Sequence, residues 1–182
     1  MNRAHSVFAR FDLAEYRFCR ELNRRAGRHG LGLVMRAASR LGDGVIWYLL
    51  MAALPLIYGA QALRPVAIMA ATGFIGLVIY KALKKSLQRE RPFIRHPGIT
   101  LAMPPLDRYS FPSGHTLHAV CFSWQAAAHF PALAWLLVPL ATLIAASRVV
   151  LGLHYPSDVL AGAAVGALLG SFGVALSAVP GV

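Results

Sequence analysis

The sequence predicts an all-α, multi-pass transmembrane helical bundle of about five spanning helices, preceded by an amphipathic helical segment. Two features of composition and one of pattern predict it. The 182-residue chain is 57% hydrophobic and only 14% charged, too little polar surface to solvate a soluble domain of that size. Its apolar residues fall in long blocks instead of alternating. The blocks approach the ~20 residues that cross ~30 Å of hydrocarbon.

The elements follow in order. Residues 1–43 form a basic segment in which Phe8, Phe11, Leu13, Tyr16 and Phe18 alternate with charges at roughly helical spacing. This reads either as a helix on the membrane surface or as one packed on the protein's own cap. Residues 44–182 form the membrane domain. Its first helix is expected over Val45–Leu63, and Arg64-Pro65 is read as a turn. The second helix is expected over Val66–Leu83, the third from Ser113 to Phe130, the fourth from Ala132 to Ser147 and the fifth from Asp158 to Val179. In the fifth, Gly162, Gly166 and Gly170 recur every fourth residue, a small-residue face for close helix packing.

Charge and cysteine usage narrow the class further. The formal net charge is +11, and nine of the 18 Lys and Arg lie within residues 1–40. Such a balance suits nucleic acid, anionic lipid or a phosphate-bearing substrate. No nucleic-acid-binding motif is present, so no nucleic-acid partner is expected. Cys19 and Cys121 are too far apart in sequence to suggest a metal cluster. Residues 1–40 lack the continuous apolar stretch of a signal peptide.

The polar segments converge by topology. With alternating helix directions, Lys84, Ser113, Ser147 and Asp158 all fall at helix ends on one side of the membrane. Three constellations meet there: Lys84 with Arg91-Pro92, Pro112-Ser113-Gly114-His115, and Ser147-Arg148 with His154 and Asp158. They supply three fixed cations, two histidines, a carboxylate, a hydroxyl and a glycine.

That set matches what phosphoryl transfer requires without a metal or cofactor. Transition-state charge spreads over three equatorial oxygens, which need surrounding donors. Arg91 and Arg148 each offer a planar fork, and Lys84 adds a point charge. Ser113 and Gly114 open a helix, whose free N–H groups favour an anion. His154 has Asp158 four residues on, a spacing that on a helical turn lets the carboxylate accept from Nδ1 and leaves Nε2 to attack. His115, beside the phosphate cradle, suits a general acid for the leaving oxygen. Lys81 and Lys85 read as helix-end lysines reaching the interface, and Arg89, Arg95 and Arg108 as solvated or lipid-facing loop cations, with contact to a second phosphate or a head group as the alternative.

These segments resemble the signature of the type 2 phosphatidic acid phosphatase (PAP2) family, K-x6-R-P, P-S-G-H and S-R-x5-H-x3-D. Every position is filled, by Lys84, Arg91, Pro92, Pro112, Ser113, Gly114, His115, Ser147, Arg148, His154 and Asp158. The resemblance extends over about residues 45–180. It implies the helical core shared with vanadate haloperoxidases, a phosphohistidine intermediate and a lipid phosphate substrate. Within its membrane branch, a polyprenyl (undecaprenyl) pyrophosphate fits the surplus of cations best. Phosphatidylglycerophosphate and phosphatidic acid are the alternatives, and a non-catalytic lipid-phosphate binder or transporter is the alternative class. Membrane members often have six spanning helices, where this sequence suggests five. The positive-inside rule favours a plasma-membrane protein with its site on the cytoplasmic face, although many lipid phosphatases of this kind face the opposite side.

Overall fold

Gly114 opens the helix around which the bundle assembles. The computed structural model describes residues 3–26 and 29–179, with side chains from residue 13 onward except residue 29. Phe8 and Phe11 of the amphipathic stretch therefore lie outside the described side chains. The helices are α1 (Arg3–Ala26), α2 (His29–Leu41), α3 (Val45–Tyr58), α4 (Leu63–Leu87), α5 (Pro92–Arg95), α6 (Gly114–His129), α7 (Ala134–Val150) and α8 (Pro156–Ser177). Two 3-10 turns, Gly59–Ala62 and Pro131–Leu133, precede α4 and α7.

α6 sits at the centre, packed against α4, α7 and α8. Its closest partner is α8, and the glycine stripe is the reason. A Cβ at Gly162 would stand 2.5 Å from the Ser113 carbonyl oxygen, and one at Gly166 would collide with the Leu117 carbonyl. At Gly170 it would stand 2.9 Å from the Trp124 side chain. Backbone-to-backbone packing of this closeness is available only to small residues. It fixes the start of α6 against the start of α8, and Ser113 N donates to the Asp158 carbonyl at 3.0 Å.

The bundle is apolar outside, and its core holds polar groups among the hydrophobic ones. Trp135 and Leu56 are 89% and 87% exposed, and Leu160, Leu168 and Phe74 also face outward. Thr72, Ser123 and Gln125 are buried, and Gln125 donates to Thr72 Oγ1 at 2.9 Å between α6 and α4. A hydrocarbon solvent reverses the usual cost of exposed apolar surface, so this arrangement belongs in a membrane.

Three segments are long and apolar enough to cross it among the described residues: Val45–Leu87, Pro131–Val150 and Pro156–Ser177. The first holds both α3 and α4. Gly59 ends α3 at φ 72°, a backbone conformation suited to glycine. Trp47 and Met51 of α3 then line the same cavity as Gly73, Leu77 and Tyr80 of α4. The chain therefore reverses at residues 59–62 and not at the expected Arg64-Pro65. Pro65 lies in the first turn of α4, where its missing N–H costs nothing. α6 has 16 residues, about 24 Å at helical rise and short of a full span. Enclosed by its neighbours, it needs no continuous apolar face, which is why it carries His115, Thr116, His118, Ser123 and Gln125.

α1 docks on the end of the bundle where the polar segments converge. Cys19 is fully buried with Ile99, Val149 and Tyr155. Asn23 Nδ2 donates to the carbonyls of Thr100 and Val150 at 3.0 and 3.1 Å, and its Oδ1 accepts from Thr100 N at 2.8 Å. Leu13, Phe18 and Arg17 remain exposed on the opposite face.

Candidate active site

The helix ends place the expected residues together. Lys84 comes from the last turn of α4, Arg91 from the residue preceding α5, and Gly114 and His115 from the first turn of α6. Arg148 comes from the last turn of α7. All five line one cavity of about 330 Å³. Its other wall is apolar and aromatic, with Trp47, Tyr48, Phe74, Leu77 and Phe122 among its residues.

Ser113, His154 and Asp158 are buried behind that lining. Ser113 is the N-cap of α6. Its Oγ accepts from Thr116 N at 3.5 Å and from Thr116 Oγ1 at 3.0 Å, which leaves its own proton as the free donor. The N–H groups of Gly114 and His115 have no intrahelical partner at this terminus.

His154 lies against Arg91, with Nε2 3.2 Å from Arg91 Nη1. A guanidinium only donates, so Nε2 is the acceptor and the ring proton sits on Nδ1. Nδ1 faces Asp158 Oδ2 at 3.5 Å. This is ion-pair distance, longer than a good hydrogen bond. The expected helical i, i+4 contact has a different origin. His154 stands in the irregular turn 151–155, before α8 begins at Pro156. Asp158 Oδ2 accepts from Tyr155 N at 2.9 Å and so caps the start of α8, which brings the carboxylate back toward the ring.

Burial chiefly, then the charges of Arg91, Arg148 and Lys84 and the neighbouring His115, hold the His154 imidazole well below its ordinary pKa. The ring is therefore neutral at physiological pH and carries a lone pair on Nε2.

Asp107 of the 96–113 loop closes the cation group. Its carboxylate receives Lys84 Nζ at 2.7 and 2.8 Å and Arg91 Nη2 at 2.7 Å. Burial pushes this carboxyl up, but Lys84 and Arg91 outweigh it and hold the pKa below the ordinary value. Arg91 is further fixed by donating from Nη1 to the Leu153 carbonyl at 2.8 Å and from Nε to the Asp107 carbonyl at 3.0 Å. Arg148 donates to Ser39 Oγ of α2.

Two further pairings, like that of Asp107, were not visible in the sequence. His115 Nε2 lies 2.6 Å from Asp43 Oδ1, in the turn between α2 and α3. Arg89, read from sequence as a solvated or lipid-facing loop cation, is 2% exposed. It donates to Asp158 Oδ1 and to Ser157 Oγ, both at 2.6 Å, and to Glu15 Oε2 at 2.8 Å. Its guanidinium also stacks over the Tyr155 ring, 4.1 Å from the centroid. The carboxylates that hold it explain its burial. His118 bridges α6 and α4 through the carbonyls of Gly114 and Gly73, in keeping with a structural role. Among the described residues, no three His, Cys, Asp or Glu side chains gather as a metal site.

A helical bundle with an apolar exterior, and with two histidines among buried cations at one end, fits an integral membrane protein whose polar site is sunk into one end of the bundle. The comparisons with known proteins narrow it to one family. Residues 61–178 match the PAP2 superfamily model, and the chain belongs to that superfamily. It is 32% identical over 146 residues, 79% of each chain, to a decaprenylphosphoryl-5-phosphoribose phosphatase of Mycobacterium tuberculosis. It is 33% identical over 126 residues to the undecaprenyl-diphosphatase BcrC of Bacillus subtilis, covering 69% of this chain and 65% of that one. Among solved structures, Aquifex aeolicus LpxE superposes with a TM-score of 0.76 at 25% identity, over 89% of this chain and 95% of that one. The PAP2 phosphatidylglycerolphosphate phosphatase of B. subtilis superposes with a TM-score of 0.67 at 23% identity, over 97% and 96%, and shares the fold.

Proposed function

We propose that this chain is a membrane lipid phosphatase that hydrolyses a polyprenyl-linked phosphate, with undecaprenyl pyrophosphate as the leading substrate, through a phosphohistidine on His154. The observation that carries the reading is the placement of the neutral His154 Nε2 3.2 Å from the Arg91 fork, directly behind a cavity lined by Lys84, Arg91, His115 and Arg148.

In the first step the His154 Nε2 lone pair attacks phosphorus. Arg91 turns its N–H from Nε2 to an equatorial oxygen, alongside Lys84, Arg148 and the first N–H groups of α6. The bond from phosphorus to the leaving oxygen breaks, and His115, as the imidazolium paired with Asp43, gives that oxygen its proton. Asp158 receives the Nδ1–H as the ring becomes cationic. In the second step His115 takes a proton from water, the hydroxide attacks the phosphohistidine, and the P–N bond breaks to free phosphate and His154. The cradle draws its positive charge from side chains, so we expect turnover without a metal.

The apolar wall supports a lipid. Tyr48 and Phe74 are exposed on the outside of the bundle and also line the cavity, which suits entry of a hydrocarbon chain sideways between α3 and α4. Leu106, 70% exposed, sits on the loop beside the cations and suits contact with the substrate near its head group. Relatives named for decaprenyl and undecaprenyl lipids favour a polyprenyl chain over a glycerolipid. In the membrane we assign about five crossings, by α3, α4, α7, α8 and the shorter α6 that its neighbours enclose, with the exposed Leu13 and Phe18 of α1 on the interface. The excess of Lys and Arg on the site side favours its exposure to the cytoplasm.

The test is phosphate release by detergent-purified protein, wild type beside His154→Ala. Undecaprenyl pyrophosphate, phosphatidylglycerophosphate, phosphatidic acid and a water-soluble phosphate ester form the panel. Release that depends on His154 and is fastest with undecaprenyl pyrophosphate is expected. Lipid binding without release from any of them would replace the enzyme reading with a binder or transporter.

A further inference from the structure

Arg89 and Glu15 have no part in the mechanism above, yet they are built into the back of the nucleophile's turn. Glu15 lies on α1, 142 positions before Ser157. Its Oε1 accepts from Ser157 N at 2.6 Å, and its Oε2 accepts from Ser157 Oγ at 2.7 Å and from Arg89 Nη2 at 2.8 Å. Arg89 Nη1 reaches across to Asp158 Oδ1 at 2.6 Å. Asp158 in turn faces His154 Nδ1 with its other oxygen. The side chains of Arg89 and Asp158 are almost wholly buried, and that of Glu15 is 16% exposed.

The chain of contacts has a consequence for the nucleophile. The site already holds Arg91 from the loop, Arg148 from α7, Lys84 from α4 and His115 from α6 around His154. A further buried guanidinium at Asp158 would withdraw charge from the carboxylate that receives Nδ1–H. Glu15 counters Arg89 from the far side, so the guanidinium can hold Oδ1 in place without leaving an uncompensated charge. Glu15 also grips the first turn of α8 at Ser157. Both effects fix where Oδ2 points.

We propose that Glu15 is a positioning residue for His154, acting through Arg89 and Ser157 on the Asp158 carboxylate, so that helix α1 is a working part of the hydrolytic site. The inference rests on the phosphohistidine reading above. It gives the N-terminal segment a role in turnover in addition to any contact with the membrane.

The test uses full-length protein in detergent, with wild type and His154→Ala run alongside. Glu15→Gln keeps the shape and removes the charge. We expect kcat to fall about tenfold with KM held within about twofold, because the lost element orients a group that acts in the chemical step. Glu15→Asp recovers part of the loss. In a double-mutant cycle, adding Glu15→Gln to Arg89→Met lowers kcat no further, since both act through one link. Asn23→Ala, which loosens α1 without changing charge, serves as the packing control and lowers thermal stability while leaving kcat near wild type.

Three results would overturn the proposal. Glu15→Gln could retain wild-type kcat. Glu15→Gln and Asn23→Ala could lose kcat, KM and stability in the same proportion, which is a packing defect. The cycle could be additive. Should Arg89→Met fail to fold, the comparison of the Glu15 variants with Asn23→Ala decides alone. Absence of His154-dependent release from the wild type would sink both this inference and the phosphatase reading. Release that needs His154 and ignores Glu15 would sink this one only.

Discussion

Asp43 and His115 stand 2.6 Å apart, oxygen to ring nitrogen, although 72 positions separate them in the chain. A carboxylate only accepts, so His115 Nε2 holds a proton, and a ring that also gives one up from Nδ1 has to be the imidazolium. The turn between α2 and α3 thus supplies the carboxylate that orients and charge-balances the proposed general acid.

Changing Asp43 to Asn should therefore act on the leaving group. An amide has no charge to balance the imidazolium and can present either its oxygen or its NH2 to the ring. We expect kcat to fall about a hundredfold with an alkyl phosphate, whose oxygen needs a proton as it departs. With an aryl ester of low leaving-group pKa the loss should be much smaller. Equal losses on both esters would show that Asp43 does not act through His115.

The depressed pKa of His154 makes a prediction about stability. The folded state keeps this ring neutral below the ordinary value of 6.5, while the unfolded chain binds a proton there. More protons bound in the unfolded state means that stability rises with pH. The contribution is fully present above the unfolded value and is lost as pH falls from there toward the folded value. The thermal midpoint in detergent should drop between pH 7.5 and 5.5, and drop less in His154→Gln. Parallel curves for the two proteins would contradict it.

The two arginines are predicted to act as forks and not merely as charges. Arg91→Lys keeps the charge but cannot hold the Leu153 carbonyl, Asp107 and a phosphate oxygen together. We expect its activity to fall about a hundredfold, in line with loss of a preorganised donor. Wild-type turnover should persist in EDTA and be inhibited by vanadate. A strict requirement for Mg²⁺ would contradict the side-chain cradle.

Gly162→Ala should damage the site from a distance. Its Cβ would stand 2.5 Å from the Ser113 carbonyl, and neither helix backbone can yield without moving the start of α6. A cost of about 1–3 kcal/mol is expected, together with reduced turnover. Gly30→Ala, where nothing lies within 4 Å of the added carbon, is the control and should leave both unchanged.

The helix ends were legible because the apolar blocks are long and their polar boundaries fall at motif residues. Lys84, Gly114, His115, Arg148 and Asp158 were all expected near one another, and they are. The partners that tune them were not legible. Asp43, Glu15 and Arg89 meet their targets across 72, 142 and 69 positions, and no local periodicity announces such pairs. In sequence Arg89 is one more loop cation; in the fold two carboxylates from distant helices hold it. The contact between His154 and Asp158 was anticipated for a geometric reason that does not apply, since a helix cap and not a helical turn brings them together. The sequence reading puts the chain reversal at Arg64-Pro65, but a proline is comfortable in a first helical turn, and Gly59 takes the conformation that ends α3.

The cavity joins a cationic floor to an aromatic and aliphatic side wall within about 330 Å³. An amphiphile cut at its phosphate bond there yields two fragments with opposite solvent preferences. The inorganic anion has its lowest free energy in water and the lipid remnant in hydrocarbon, so each has its own exit. Product inhibition by the lipid should consequently track its mole fraction in the bilayer or micelle, whereas inhibition by phosphate should track its aqueous concentration.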